Sequence, residues 1–383
     1  MAGQAVELHE LARYRAEFPV FERQIYLNTC SLGALSLRSR AWVERFILEW
    51  QERGAAAWYD VWWSRLSELR ERYAAVIGAR REEVALHASV STALAVVASA
   101  LDYRHRPRVV TTALDFPTVV YQWLAKRNEG VEVEILESPD GITVPLEAFE
   151  KAVDDRTAVV ATSQVYFTSG AVQDLRALAE IAHSKGAFLL VDAYQSVGQI
   201  PVDVRGEQVD FLLGGGLKWL LGGPGIAFLY VRSELLEELS PSVTGWFADR
   251  DQFRFEPRSL EFHRDARRFE QGTPSLASVH AQLGGLELLE EAGWDRVYRV
   301  TYELKEDLIA CAREAGLEPK VASEPARRSS IIMIPSPDPG AAVRTLAEAN
   351  IVVDARAGCV RISPFFYNYR DDYAGAIELL KRR

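Results

Sequence analysis

Cysteine is scarce in this 383-residue chain, and the three cysteines that it has lie far apart. Cys30, Cys311 and Cys359 form no C-x-x-C pair, so the sequence predicts neither a disulfide framework nor a metal site of the zinc-knuckle kind. Long apolar runs are lacking too, since no stretch approaches the ~20 residues that a membrane-spanning helix needs. We therefore expect a cytoplasmic protein that does not bind membranes.

Basic charge is also in short supply. The chain has 44 Lys and Arg against 54 Asp and Glu, which gives a formal net charge of -10 at pH 7. Nucleic acids and anionic membranes attract basic surfaces, so this balance argues against both as partners. With 48% hydrophobic and 26% charged residues the composition is that of an ordinary globular protein. Chemistry on a small molecule is the expected activity.

Seven short apolar runs alternate with helical patterns in the first two thirds of the chain. They cover residues 84–88, 109–114, 131–136, 158–165, 187–191, 211–213 and 225–231. Such alternation predicts an α/β fold, with a mostly parallel sheet covered by helices on both faces. A long helical stretch over 275–316, interrupted near Gly293, leads to a strand near 360–363 and a helix from Tyr373. We predict an N-terminal segment (1–30), a large domain (31–274), and a connecting helix with a small C-terminal α+β domain (275–383).

An acid and a lysine stand at predicted strand ends, where ligands collect in sheets of this type. Asp192 follows an apolar run directly, and Lys218 lies between apolar and glycine-rich stretches after the next run. Poor solvation lowers the pKa of a lysine and makes it a nucleophile towards aldehydes. Taken alone, Asp192 is better explained as a turn cap and Lys218 as a surface lysine. Together they suit pyridoxal phosphate (PLP), which needs an acid at its ring nitrogen and a lysine at C4′.

The segments around these residues resemble the class V aminotransferase superfamily of fold type I PLP enzymes. This superfamily includes cysteine desulfurases, isopenicillin N epimerase-like enzymes and kynureninases. The matching segments read VDAYQS (191–196) and GGLKWLLGGPGIAFLY (215–230), and the resemblance covers nearly the whole chain. It implies PLP as cofactor, with Asp192 at the ring nitrogen and Gln195 towards the phenolic oxygen. It also implies that Lys218 holds PLP as a Schiff base and transfers a proton.

Two further segments match the family in the expected order. Residues 88–94 resemble its phosphate-binding turn, which implies Ser91 and Thr92 as phosphate ligands at a helix N-terminus. A plain helix cap explains the same two residues equally well. Residues 114–118 resemble a kynureninase-like turn whose aromatic stacks on the cofactor ring. Phe116 is therefore the stacking candidate, with a core phenylalanine as the alternative.

The C-terminal third carries two more matches. Residues 268–274 (RFEQGTP) resemble a loop that a neighbouring subunit contributes to the phosphate, which implies Gly272 and Thr273 as ligands in a homodimer with a shared active site. In isolation these residues would be a turn. Arg361 lies on a predicted strand, where Val360 and Ile362 face the core. It matches the family arginine that binds the substrate carboxylate bidentately, with a surface ion pair as the alternative.

The chain also departs from the family pattern. Many members have a hydroxyl residue a few positions before the lysine and His or Tyr immediately before it, whereas this chain has Gly215 and Leu217. One phosphate contact is then missing or comes from elsewhere. Cysteine desulfurases carry a persulfide-forming cysteine on a loop before the arginine. The segment 354–360 is too short for that loop, so we interpret Cys359 as structural.

An aromatic stripe and a turn bear on the substrate. Residues 245–247 (GWF) resemble the kynureninase turn that roofs the substrate pocket. If the aromatic stripe lay beside this turn at the substrate site, the two would form a large apolar pocket. More often a stripe of this kind lies in the core or at a subunit interface. The stripe consists of Trp58, Tyr59, Trp62 and Trp63.

These readings predict a PLP-dependent enzyme that acts on an α-amino acid. The preferred reaction is cleavage at Cβ, of the C–S or kynureninase-like kind, without a persulfide cysteine. Transamination is the alternative. A third reading is a degenerate binding module without activity, which Gly215 and Leu217 favour. Retention of four residues together argues against it, because each is costly or useless without the cofactor: Asp192, Gln195, Lys218 and Arg361.

Overall fold

The computed structural model describes residues 9–382, so the first eight residues of the predicted N-terminal segment lie outside it. The helices are α1 (Leu37–Arg53), α2 (Trp63–Val76), α3 (Val90–Ala100), α4 (Pro117–Leu124), α5 (Leu146–Ala152), α6 (Leu175–Ser184), α7 (Leu276–Ala292), α8 (Trp294–Glu314), α9 (Pro339–Glu348) and α10 (Arg370–Lys381). The strands are β1 (Ile25–Tyr26), β2 (Val84–His87), β3 (Arg108–Thr112), β4 (Glu132–Leu136), β5 (Thr157–Ser163), β6 (Phe188–Asp192), β7 (Phe211–Gly215), β8 (Ala227–Val231), β9 (Ile332–Pro335), β10 (Ile351–Val352), β11 (Asp354–Arg356) and β12 (Cys359–Ile362).

The large sheet has the strand order β2-β8-β7-β6-β5-β3-β4. Its members from β3 to β7 pair in parallel, and β8 pairs antiparallel with β7 and β2. The prediction of a mostly parallel sheet is therefore confirmed, and each of the seven apolar runs overlaps a strand. The run at 211–213 is longer than predicted, because Gly214 and Gly215 continue β7 although glycine rarely extends a strand.

Helices cover both faces of this sheet. On one face α3 packs through Ala93, Leu94 and Val97 against sheet residues that include Leu213 and Leu229. On the other face lies α6, which buries Leu175, Leu178, Ala179 and Ala182 as its amphipathic pattern predicts. Asp174 caps α6 by accepting a hydrogen bond from the Ala177 backbone N–H at 3.0 Å. These crossovers hold the strand ends in place.

A smaller unit follows the break between α7 and α8, which falls at Gly293, where φ is +88°. It contains the antiparallel sheet β11-β12-β9 together with α9 and α10. Helix α10 begins at Arg370, three residues before the predicted start at Tyr373, because the backbone N–H of Tyr369 bonds to the Asp372 carboxylate. The N-terminal segment packs onto this unit, since β1 pairs in parallel with β10.

Between residues 9 and 382, none of the helices is both long and apolar enough to cross a bilayer.

Candidate active site

A cavity of about 450 Å³ lies at the carboxyl ends of β5, β6 and β7, a size typical of small-molecule sites. The small unit closes one side of it through β12. Of the nine predicted site residues, the six that line this cavity are Ser91, Phe116, Asp192, Gln195, Lys218 and Arg361. The predicted residues that do not line it are Thr92, Gly272 and Thr273.

Asp192 is the last residue of β6 and is only 6% exposed. Its Oδ1 accepts a hydrogen bond from the Tyr194 backbone N–H at 2.9 Å, and no ion pair within 4.0 Å reaches it from residues 9–382. Burial raises the pKa of this carboxyl to about 6, against the opposing effects of that N–H and of Lys218. A buried carboxylate with so few partners is short of a cation, as a protonated ring nitrogen would supply.

Lys218 lies just after β7, on the loop that enters the cavity. Its Nζ is 4.8 Å from the ring centre of Tyr194 and 6.0 Å from that of Phe116. Burial lowers the pKa of this ammonium to about 8, although Cys30 and Asp192 act in the opposite direction. Neutral amine is therefore available near physiological pH, which is the form that attacks an aldehyde.

Phe116 and Gln195 flank these two charges. Phe116 is 45% exposed, which excludes the alternative of a core phenylalanine, and its ring meets Phe167 edge to face at 5.2 Å. Gln195 is buried and held by two contacts. Its Oε1 accepts from Trp219 Nε1 at 3.0 Å, and its Nε2 donates to the Cys30 carbonyl at 2.9 Å. One amide N–H of Gln195 is left over from this pair of contacts.

The two hydroxyl residues predicted as phosphate ligands, at the start of α3, have different surroundings. Ser91 is exposed, lines the cavity, and lies 3.1 Å from Thr118 between the two hydroxyl oxygens. Thr92 instead donates its hydroxyl to the Ser89 carbonyl at 2.7 Å, and its backbone N–H bonds to Ser89 Oγ. The capping alternative thus describes Thr92, and its hydroxyl is already engaged at the helix end.

Gly272 and Thr273 are exposed on the surface, outside the cavity of their own chain. A Cβ built on Gly272 would have one neighbour within 4 Å, Trp246 Nε1 at 4.0 Å. The predicted role of both residues is in the site of a second subunit, and it stays a prediction.

Arg361 is buried in the middle of the small sheet and donates four hydrogen bonds. Nε and Nη2 bond to the two carboxylate oxygens of Asp354, at 2.8 and 2.5 Å. Nη2 also donates to Ser31 Oγ at 2.9 Å, and Nη1 to the Phe167 carbonyl at 3.0 Å. The predicted alternative of an ion pair is therefore present, but it is buried at the cavity wall and does not lie on the surface.

Comparison with known proteins identifies the family. The sequence model of the family Aminotransferase class-V matches residues 60–372. This chain belongs to the class V aminotransferase family. It is 34% identical to the uncharacterized aminotransferase YcbU of Bacillus subtilis (strain 168), over 97% of each chain. It is 30% identical to the kynureninase of Pseudomonas fluorescens, over 90% of this chain and 85% of that one.

The fold agrees with the family. The apo structure of a cysteine desulfurase from Thermococcus onnurineus NA1 superposes with a TM-score of 0.88 at 22% identity, covering 100% of this chain and 99% of that one. At this identity the match shows fold type I and nothing about the reaction. Class V enzymes depend on PLP, so this chain is a PLP-dependent enzyme, and the predictions of family, fold and cofactor are confirmed.

The cavity of this class V enzyme fits PLP on its own geometry. Among the described residues Asp192 has no cation within ion-pair distance and the Lys218 amine is free of ion pairs, and the exposed Phe116 lines the cavity. Hydroxyls of Ser91 and Thr118 stand at the N-termini of α3 and α4, where an anion is stabilised. The site thus offers partners for the ring nitrogen, C4′, the ring face and the phosphate.

The cysteine that desulfurases use has no counterpart on the β11–β12 hairpin of this class V enzyme. Two residues with positive φ, Ala357 at +48° and Gly358 at +75°, join the strands. Cys359 is buried outside the cavity, where burial raises the pKa of its thiol. A two-residue turn provides no loop on which a cysteine could extend into the cavity.

The aromatic stripe does not line the cavity of its own chain. Trp62 is buried in the core, Tyr59 is exposed, and Trp63 packs on Phe247 of the GWF turn at 5.3 Å between ring centres. Beside this turn Trp246, Phe253 and Phe255 remain exposed. The reading as core or interface therefore describes the stripe better than the reading as substrate pocket.

Sequence reasoning missed several cavity residues. Cys30 ends the predicted N-terminal segment and Ser31 follows it. This part of the chain docks on the lysine loop through Gly33, whose N–H donates to the Leu217 carbonyl at 2.9 Å. A contact between such distant segments leaves no periodic signal. Tyr194 was also missed, although it lies between Asp192 and Gln195 in the motif that identified both.

Proposed function

We propose that this class V enzyme cleaves a bond at Cβ of an α-amino acid, in a C–S lyase or kynureninase-like reaction without a persulfide cysteine. The observation that carries the proposal is the meeting of Lys218, Asp192 and Arg361 in one cavity, beside a hairpin too short for a cysteine loop. The likeness to a kynureninase over 90% of this chain supports the same reaction class.

The cofactor, when bound, supplies an electron sink for negative charge at Cα. The chain's own residues provide the rest of the chemistry. Asp192 would pair with the protonated ring nitrogen, and Arg361, which also donates to Ser31, would bind the substrate carboxylate. Lys218 Nζ removes the proton from Cα, because its lowered pKa gives a neutral amine near pH 8. Phe116 would stack on one face of the ring.

Transamination is the second candidate, which the name of the YcbU relative favours. The three reactions, two kinds of Cβ cleavage and transamination, differ in their products. A C–S lyase releases pyruvate, ammonia and a thiol, and a kynureninase-like enzyme releases alanine and a carboxylic acid. A transaminase moves the amino group onto an added keto acid and leaves the carbon skeleton whole. Incubation with a panel of amino acids, with and without pyruvate or 2-oxoglutarate, distinguishes all three.

We also propose a homodimer whose subunits share each active site, with Gly272 and Thr273 reaching the phosphate of the neighbour. Their exposure outside their own cavity supports it, as does the exposed aromatic cluster of Trp246, Phe253 and Phe255 beside them. Apolar surface of this kind favours burial against another protein surface. We keep the prediction of a cytoplasmic location, which the three free cysteines suit.

A further inference from the structure

Gly215, the last residue of β7, has a steric reason to be glycine. A Cβ built there would lie 2.1 Å from Cε2 and 3.0 Å from Cζ of Tyr194. Real Cβ atoms do not approach a ring so closely, so the ring of Tyr194 takes the space that any side chain at 215 would need. Gly215 has no positive φ, which means that backbone conformation does not require the glycine.

The Tyr194 ring is fixed in the cavity wall between two groups that the proposed function uses. Its backbone N–H donates to Asp192 Oδ1 at 2.9 Å, and its ring centre is 4.8 Å from Lys218 Nζ. Burial, with Asp192 adding to it, raises the pKa of the phenol, which therefore stays protonated near neutral pH. A protonated phenol is a hydrogen-bond donor.

The position of Gly215 in β7 shows which side of the sheet the phenol edge occupies. Side chains alternate along a strand, so a side chain at 215 would point to the same face as Leu213 and Phe211. Both of these pack in the core that α3 covers. The N-terminus of α3 presents Ser89 and Ser91 to the same cavity. The space that Tyr194 fills is thus on the side of the sheet where the helix favours an anion.

We propose that Tyr194 replaces the hydroxyl side chain that Gly215 lacks and donates its phenol O–H to the phosphate of PLP. The inference rests on the proposed placement of PLP between Asp192 and Lys218. It accounts for one departure from the family pattern, the glycine where many members have a hydroxyl, and it gives a role to Tyr194 in the segment between Asp192 and Gln195. The Tyr194 ring occupies the volume that a side chain at position 215 would need. A hydroxyl can therefore come from residue 194 or from residue 215, but not from both.

The test compares binding of PLP and of pyridoxal, which lacks the phosphate, to apoenzyme freed of cofactor. Tyr194→Phe should weaken PLP at least tenfold, as expected for the loss of a hydrogen bond to a charged group, and leave pyridoxal unchanged. Tyr302→Phe, on the exposed surface of α8, is the matched control and should change neither. Equal losses for both ligands, or no loss for either, would overturn the inference.

Exchange of the two positions gives a second test. Gly215→Ser alone should lower the melting temperature and PLP affinity, because its Cβ meets the Tyr194 ring. In a Tyr194→Ala background the same serine should restore PLP binding above that of Tyr194→Ala alone. If Gly215→Ser is harmless in the wild-type chain, or gives no rescue, the shared-volume argument is wrong.

A third measurement separates this inference from the proposed function. Borohydride reduction of the holoenzyme should fix the cofactor to the peptide that contains Lys218. Attachment elsewhere would refute the proposed site itself. Attachment at Lys218, combined with equal effects of Tyr194→Phe on PLP and pyridoxal, would refute the role of Tyr194 alone. A Tyr194→Phe variant that keeps its PLP affinity, but changes the pH at which the cofactor absorption shifts, would assign Tyr194 to Lys218 and overturn the phosphate contact.

Discussion

Arg361 and Asp354 face each other across the β11–β12 hairpin and share two hydrogen bonds, from Nε at 2.8 Å and Nη2 at 2.5 Å. The proposed carboxylate-binding arginine therefore has one edge of its guanidinium filled by a carboxylate of its own chain. At the opposite end Nη2 also donates to Ser31 and Nη1 donates to the Phe167 carbonyl, so one of the five N–H groups, on Nη1, is left for the substrate. Asp354 fixes the arginine so that this end points into the cavity.

Arg361→Lys should raise KM at least tenfold, which corresponds to about 1.4 kcal/mol, and leave PLP occupancy unchanged. Lysine keeps the positive charge but cannot bond to Asp354, Ser31 and a carboxylate in one fixed plane. Steady-state kinetics and the absorbance of the bound cofactor measure the two quantities.

Arg370→Lys at the start of α10 is the control for this variant, because Arg370 is exposed, pairs with Asp307 at 3.0 Å and does not line the cavity. Its KM should stay within about twofold of wild type, as expected for an exposed ion pair. Loss of PLP from Arg361→Lys with an unchanged KM would show that the carboxylate binds elsewhere.

Asp192→Asn should stabilise the apoenzyme and abolish most activity of the holoenzyme. The raised pKa of about 6 means that the folded state binds a proton that the unfolded chain, with a carboxyl pKa near 3.9, has released. The wild-type free energy of unfolding therefore falls as the pH rises from about 4 to about 6, and stays lower above that range. Asparagine does not ionise, so its free energy of unfolding has no such loss. Across this pH range the free energy of unfolding of the variant should rise relative to that of wild type by up to about 3 kcal/mol.

Urea unfolding of both apoproteins at pH 4.5 and 7 measures the difference. Asp155→Asn, at an exposed position, should give the same offset from wild type at both pH values. An Asp192→Asn apoprotein that is less stable than wild type at pH 7 would contradict a carboxylate short of partners.

Much of the site could be predicted because its residues belong to local patterns. Asp192 and Lys218 follow apolar runs that become β6 and β7, so strand ends alone brought them together. Ser91 lies in the first turn of α3 and Phe116 directly precedes α4. Both helices follow strands of the large sheet, so both residues are expected at the same edge of the sheet as Asp192 and Lys218. These positions follow from short segments and from the topology that strand alternation imposes.

The remainder depends on contacts between distant segments. Asp354 meets Arg361 only through the hairpin register, and Ser31 arrives because Gly33 docks on the lysine loop. Thr92 was predicted as a phosphate ligand, yet its hydroxyl is engaged in capping α3. Nothing in the sequence alone favoured one of these two roles over the other. The fit of Tyr194 over Gly215 is a matter of volume, which spacing in a sequence does not express.

Lys218 should react with PLP at a rate that rises with pH and is half-maximal near pH 8. Burial lowers its pKa to about 8, so the neutral amine that attacks the aldehyde appears about two pH units earlier than for an ordinary lysine near 10.4. The measurement is the rate of absorbance change when PLP is added to apoenzyme, with N-α-acetyl-lysine as reference. A midpoint near pH 10 would mean that Lys218 is solvated like a surface lysine.

Cys359→Ser should retain activity within about twofold, because the thiol is buried behind a two-residue turn and burial raises its pKa. Mass spectrometry after incubation with cysteine should find no persulfide on the protein. Cys311→Ser, on the outer helix α8, is the control. A labelled persulfide at Cys359 would show that the hairpin opens and that the enzyme is a desulfurase.

Mixing two inactive variants should restore activity if each site is shared across a twofold dimer. Lys218→Ala removes the lysine, and Gly272→Trp obstructs the loop offered to the neighbour. Within its own chain a Cβ at position 272 would have one neighbour within 4 Å, Trp246 Nε1. In a mixed dimer one site carries both defects and the other neither. Random exchange of equal amounts should give at most about a quarter of wild-type activity. Exchange is followed by native mass spectrometry of differently tagged subunits. If mixed dimers form and stay inactive, or if the native protein is an active monomer, Gly272 and Thr273 serve their own subunit and the shared site is wrong.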